Sequence, residues 1–270
     1  MPIAHVNGAH LHYQIEGRAN APALVLSNSL GTNFSMWDAQ MPELHKHFRV
    51  LRYDTRGHGQ SEVTTGPYSF EQLGRDVLAL ADEADMGTFS FCGLSMGGVI
   101  GMWLGIHAGK RLHKLVLCST AAKIGNADTW NARIDTIRKA GTKSIAVATM
   151  ERWFTASFRE REPQTVERIK HMVESTSAEG FIACCEALRE ADFRESISAI
   201  RMPTLVISGA HDSGTLPADG KFLAKQIAGA RYVELDAAHL SNIEQHDQFT
   251  QEVSSFCRNH KSAKRRGQYL

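Results

Sequence analysis

The chain places one serine between glycines, Gly93-Leu94-Ser95-Met96-Gly97-Gly98, where an apolar run from Phe89 to Cys92 stops and a helix-compatible apolar segment begins at Val99. No other stretch constrains the fold so strongly. A strand that turns into a helix within so few residues leaves no room for side chains at the flanking positions, and it strains the backbone of the central residue. The serine hydroxyl then projects beyond the strand, at a helix N-terminus whose free N–H groups face any developing oxyanion. This G-x-S-x-G spacing is the signature of a nucleophile elbow. An ordinary glycine-rich turn matches so short a pattern too, so its surroundings carry the weight.

Those surroundings alternate strand and helix. Val6-Asn7-Gly8-Ala9, followed by the alternating Leu11, Tyr13 and Ile15, predicts an opening β-hairpin. Ala23-Leu24-Val25-Leu26-Ser27 is a continuous apolar run, expected of a strand buried on both faces, and it ends in a turn-rich loop from Asn28 to Asn33. A helix-compatible segment around Trp37 to His45 leads to a strand from Phe48 to Tyr53 and then to the polar loop Asp54-Thr55-Arg56-Gly57-His58-Gly59-Gln60-Ser61. Ser69 and Gln72 predict a capping box on a helix whose apolar face is Phe70, Leu73, Val77, Leu80, Ala81 and Ala84. Further strands are expected before Ser95, at Leu115–Cys118, at Pro203–Gly209 and at Arg231–Leu235, with a last amphipathic helix marked by Phe249, Val253 and Phe256. Such alternation builds an α/β fold with a mostly parallel central sheet and helices on both faces.

From about Ala121 to Ala199 the buried-strand pattern disappears. Helical periodicity replaces it, with Trp130, Ile134 and Ile137 on one stretch and Phe181, Cys184, Cys185 and Leu188 on another. An inserted helical cap over 121–199 is therefore expected, inside a core formed by 1–120 and 200–260. The remaining segment, 261–270, is basic and poor in apolar residues, and reads as a solvated end rather than a nucleic-acid patch.

Composition narrows the class. The 270 residues suffice for a sizeable core, and 30 Lys and Arg against 29 Asp and Glu create no field that would attract nucleic acid or an anionic membrane. A small ligand is the expected partner. No apolar run reaches membrane-spanning length, and Met1-Pro2-Ile3-Ala4-His5 lacks the basic start and apolar core of a signal peptide, which points to the cytoplasm. The five cysteines match neither a disulfide framework nor zinc-ligand spacing, so inert buried thiols are expected and no metal or cofactor is.

A serine nucleophile needs a base to take its proton and an acid to hold that base. Both should lie on loops after strands, at the sheet end where Ser95 emerges. Asp212 follows the strand at Leu205–Ser208, and His239 follows the strand at Tyr232–Leu235. The order Ser95, Asp212, His239 is that of the α/β-hydrolases. Among the 13 histidines, His58 and His211 are the nearest rivals to His239. His58 suits a loop hydrogen bond, and His211 must turn away if Asp212 turns in. Asp236 is the rival acid, three residues before His239. The oxyanion would meet two backbone N–H groups, one at Met96 and the other, after the second buried strand, at Leu30.

With these residues placed, Asn28-Ser29-Leu30-Gly31-Thr32, Tyr53-Asp54-Thr55-Arg56-Gly57-His58-Gly59, Gly93-Leu94-Ser95-Met96-Gly97-Gly98 and Ala237-Ala238-His239-Leu240-Ser241 together resemble the 3-oxoadipate enol-lactonases, α/β-hydrolases with a helical cap. The resemblance spans nearly all of the chain except the basic tail. Asn28-Ser29 stands where many α/β-hydrolases have His-Gly, and Ser213-Gly214-Thr215-Leu216-Pro217 replaces the more usual acidic, proline-rich continuation after the acid. The resemblance implies opening of 3-oxoadipate enol-lactone, a five-membered unsaturated lactone bearing an acetate, in aromatic catabolism. A small anionic lactone of this kind needs a cation in a dry pocket. The cap residues proposed for it are Arg133, near Trp130 at helical spacing, and Trp153 as a wall. Rival readings are a carboxylesterase, a C–C hydrolase of another ring-cleavage product, and a receptor that binds without turnover.

Overall fold

A computed structural model of the protein describes residues 2–258, so the basic segment 261–270 lies outside the described residues. Strands β1 (Ile3–Val6) and β2 (Ala9–Glu16) form the expected hairpin, with Val6 opposite Ala9. Asn7 and Gly8 have φ of 47° and 74°, the paired left-handed conformation of a type I′ turn.

Next come β3 (Ala23–Ser27), α1 (Met41–His47), β4 (Arg49–Tyr53), α2 (Phe70–Glu83), β5 (Phe89–Leu94), α3 (Met96–His107) and β6 (Leu112–Cys118). Helices α4 (Ala127–Ala140), α5 (Lys143–Trp153), α6 (Ala156–Arg161), α7 (Pro163–Ser175) and α8 (Ala178–Glu190) intervene before β7 (Thr204–Gly209). The chain ends with α9 (Pro217–Gln226), β8 (Arg231–Leu235), α10 (Ser241–Glu244) and α11 (His246–Arg258).

The eight strands form one sheet in the order β1-β2-β4-β3-β5-β6-β7-β8, antiparallel at the β1–β2 and β2–β4 pairs and parallel from β4 onward. Every residue of β5 and β7 is buried, as their unbroken apolar runs require of strands covered on both faces. In α2 the residues Phe70, Leu73, Val77, Leu80 and Ala81 point inward. Each large apolar side chain so buried stabilises the fold by about 1.5–3 kcal/mol.

Two local expectations change. The segment around Trp37 to His45 divides into a 3-10 helix, Phe34–Gln40, and α1, because Pro42 lies in the first turn of a new helix and lacks the N–H that continuation needs. At α2 only the Ser69 half of the capping box forms, its Oγ accepting the Gln72 N–H at 3.1 Å.

The α4–α8 segment touches loops that follow strands. The Thr176 hydroxyl donates to Gly31 O at 3.3 Å after β3, Gly57 after β4 abuts Gly180, and the Leu240 N–H after β8 donates to Trp153 O at 3.1 Å. These helices thus lie over the carboxyl end of the sheet. All five cysteines are buried free thiols, and among the described residues no helix is long and apolar enough to cross a membrane.

Candidate active site

Ser95 joins β5 to α3 with φ 57° and ψ −114°, a conformation that costs a non-glycine residue about 1–3 kcal/mol. The surroundings hold it there: its N–H donates to Cys118 O at 2.8 Å and its carbonyl accepts the Thr120 hydroxyl at 2.9 Å. The flanking glycines are required sterically. A Cβ on Gly93 would lie 2.1 Å from Gly97 O, and one on Gly97 would lie 2.3 Å from Ser27 O.

Asp212 and His239 come together from the loops after β7 and β8. His239 Nδ1 lies 2.7 Å from Asp212 Oδ2, which also accepts the Thr215 hydroxyl at 2.6 Å, while Oδ1 accepts the N–H groups of Gly214 at 2.8 Å and Thr215 at 3.1 Å. The altered loop Ser213–Pro217 therefore cradles the acid. Burial alone would raise the Asp212 carboxyl, but His239 and these donors outweigh it and hold it below the ordinary carboxylate range. The His239 ring stacks on Trp153, centroids 5.9 Å apart. Its rivals sit elsewhere: His211 faces outward to Asp236 at 2.7 Å, both side chains exposed. His58 is fully buried, its Nε2 accepting the Gly31 N–H at 2.9 Å.

The loop after β3 is fixed by its side chains. Asn28 donates from Nδ2 to Tyr53 O at 2.8 Å and accepts the Trp37 indole N–H at 2.9 Å, which explains an asparagine at this position. Gly97 N–H donates to Asn28 O at 3.0 Å. Among the described residues, the N–H groups of Leu30 and Met96 have no acceptor in the protein. Met96 itself is buried.

One cavity of about 270 Å³ brings together Ser95, Asp212, His239, Leu30, Trp130, Arg133 and Trp153. That volume is at the small end for ligand pockets and suits a small organic molecule. The Arg133 guanidinium lies over the Trp130 ring, 5.3 Å from its centroid, and the indole N–H donates to Ile124 O at 2.7 Å. Burial lowers the Arg133 pKa. Sequence reasoning missed Arg152, which lines the same cavity and whose pKa is also lowered, first by burial and then by repulsion from Arg133. Its Nη2 donates to the Thr149 hydroxyl at 3.3 Å. Among the described residues neither arginine has a carboxylate partner within ion-pair distance. A signal existed: Thr149, Arg152 and Trp153 share one helix face at i, i+3 and i+4, as Thr129 and Arg133 do at i and i+4.

Residues 22–245 match the family model described as the alpha/beta hydrolase fold. The chain is 44% identical to 3-oxoadipate enol-lactonase 2 of Acinetobacter baylyi, over 94% of this chain and 98% of that one. It is 40% identical to 3-oxoadipate enol-lactonase 1 of the same organism, over 94% and 95% of the two chains. Its structure superposes on that of the enol-lactonase from Burkholderia xenovorans LB400 with a TM-score of 0.93 and 51% identity, over 94% of this chain and 99% of the other. A shared fold, near-complete mutual coverage and this identity lead to one assignment: the chain belongs to the α/β-hydrolase family, in the branch that contains the 3-oxoadipate enol-lactonases.

Proposed function

We propose that this protein hydrolyses 3-oxoadipate enol-lactone to 3-oxoadipate, with Ser95 as nucleophile, His239 as general base and acid, and Asp212 as the group that orients His239. Relatives that are 40–51% identical over nearly their full lengths carry enol-lactonase names, which supports this reading over a general carboxylesterase, a C–C hydrolase or a receptor.

In this mechanism Ser95 Oγ attacks the lactone carbonyl carbon while His239 Nε2 takes the hydroxyl proton. The carbonyl oxygen becomes an oxyanion and meets the unengaged N–H groups of Leu30 and Met96, each worth roughly 3 kcal/mol of transition-state stabilisation. The ring C–O bond then breaks, and His239 returns the proton to the leaving enol oxygen. The enol half stays tethered to the acyl group. One water, deprotonated by His239, attacks the Ser95 ester, releases the new carboxylate and restores the serine. Asp212 remains ionised throughout and stabilises the imidazolium.

The observation that carries the substrate assignment is the pair Arg133 and Arg152, two cations without carboxylate partners in the cavity that holds Ser95 and His239. An acetate arm on the lactone would neutralise them where water is sparse. Segment 121–199 acts in this reading as the cap that supplies both. Comparison of kcat/KM for enol-lactone, neutral esters of similar size and meta-cleavage products tests it. The enol-lactone should rank first; a neutral ester or a ring-cleavage ketone in first place would overturn the assignment.

A further inference from the structure

We infer that His58 is a positioning residue for the oxyanion hole: its imidazole anchors the Leu30–Gly31 peptide, the plane adjoining the one that carries the Leu30 N–H, and so keeps this loop from shifting away from Ser95. This rests on the reading of Leu30 as an oxyanion donor.

His58 sits on the loop after β4, which is tied down on several sides. Arg56 reaches both Asp76 oxygens at 2.9 and 2.7 Å, and Asp54 accepts the N–H groups of Phe34 at 2.8 Å and Gln60 at 2.9 Å. From this platform His58 Nδ1 lies 3.3 Å from Arg56 O, and Nε2 accepts the Gly31 N–H at 2.9 Å. The tautomer follows: Nδ1 carries the proton and Nε2 the lone pair. Burial pushes the ring down to about 4, despite opposing help from the Arg56 carbonyl and the Asp54 charge, so Nε2 remains an acceptor at neutral pH.

A trans peptide is planar, with C=O and N–H pointing in opposite directions. Holding the Gly31 N–H therefore fixes the plane that follows Leu30. The preceding plane is fixed from its other end, because Ser29 O accepts the Thr32 hydroxyl at 2.8 Å and the Thr32 N–H at 3.2 Å. With Ser29 O held on that side, the Leu30 N–H of the same plane must point the other way, and Leu30 lines the cavity with Ser95. Gly31 has φ 80°, and a Cβ there would lie 2.7 Å from Phe181 Cε2, so the peptide is also packed from the α8 side. Phe181 in turn stacks on His58, centroids 6.3 Å apart. His58 thus touches both the Gly31 amide and the cap residue packed over it.

The test compares His58→Gln with His58→Asn in the full-length protein. The Gln amide oxygen reaches the position of Nε2 and can accept the Gly31 N–H, whereas the shorter Asn amide ends near Nδ1 and cannot. His58→Asn should lose roughly 10–100-fold in kcat with KM changed by less than about 3-fold, because the lost interaction acts on the transition state. An alkyl boronic acid, which forms a tetrahedral adduct on a serine nucleophile, should lose affinity in the same proportion, while affinity for the product 3-oxoadipate stays put. His58→Gln should recover most of both losses. Equal kcat and equal boronate affinity in His58→Asn and wild type would overturn the role of His58, as would losses shared equally by the Gln and Asn variants. If the boronic acid fails to inhibit the wild type at all, the serine-hydrolase reading fails instead, and the two failures are thereby told apart.

Discussion

The Trp153 indole lies stacked against the His239 imidazole, ring centroids 5.9 Å apart and planes 24° apart. The Trp153 carbonyl also accepts the Leu240 N–H at 3.1 Å, so α5 grips the loop of His239 by side chain and backbone together. Glu244 reinforces the contact: it accepts the Ala238 N–H at 3.0 Å and the hydroxyl of Thr155. The proposed base is therefore held as much by the segment above the sheet as by the sheet itself.

This relationship predicts the effect of removing the indole. Trp153→Ala should lower kcat by roughly 10-fold, because an imidazolium over an aromatic face gains about 1–2 kcal/mol, and Trp153→Phe should lose much less. Steady-state kinetics on the enol-lactone decide it; an unchanged kcat in Trp153→Ala would show that the stack does not support His239.

Ser95→Ala should abolish lactone opening while thermal unfolding stays cooperative, since alanine keeps the Cβ and the same elbow backbone and loses only the hydroxyl. Asp212→Asn should reduce kcat by about 10⁴-fold, because an amide favours the wrong His239 tautomer. Substantial turnover in the alanine variant would remove Ser95 from the role of nucleophile.

Arg133→Ala and Arg152→Ala should each raise KM for the anionic lactone by roughly 10–100-fold, the scale of a charge-assisted hydrogen bond to a carboxylate. A neutral ester of similar size should be hydrolysed as well as by the wild type, since deleting either cation relieves its repulsion from the other. Parallel loss on both substrates would mean that the arginines support the cap rather than read the carboxylate.

Stability should depend on pH through His58. Its pKa is 6.5 when unperturbed and about 4 in the fold, so between these values the unfolded chain binds the proton and the folded one does not. Stability contributed by the neutral ring is present above pH 6.5, falls as pH drops toward 4, and changes no further below that. The loss at full separation is about 3 kcal/mol. Urea titrations at pH 7 and pH 4.5 should show a larger drop for wild type than for His58→Gln; equal drops would assign the pH dependence to other groups.

Much of the fold is visible in local pattern. Unbroken apolar runs mark β3, β5 and β7, Asn7-Gly8 marks the first hairpin, and the spacing from Phe70 to Ala81 marks α2, because burial and turn geometry constrain residue type directly. Pro42 is equally local and foretells the break before α1, yet the apolar content of Trp37–His45 hides it. At the site, Ser95 is legible because only glycine fits at 93 and 97, while Asp212 and His239 are legible from chain order and from the strands they follow.

Arg152 carried only the faint signal of a helix face shared with Thr149 and Trp153, and an arginine so placed is normally solvated; it is the packing of the helices that puts it in one cavity with Arg133. His58 does serve as the loop hydrogen-bonder that the sequence suggested, but its partner was not legible, because Gly31 lies on a different loop. Local sequence thus determined the elements, the elbow and the order of the reactive groups, because sterics and hydrophobic periodicity act over a few residues. Tertiary structure alone decided that Asp212 meets His239 at 2.7 Å, that Trp153 stacks on that histidine, and that two arginines line one cavity. Those are contacts between residues distant in the chain, and their geometry exists only once the sheet has brought its loops to one end.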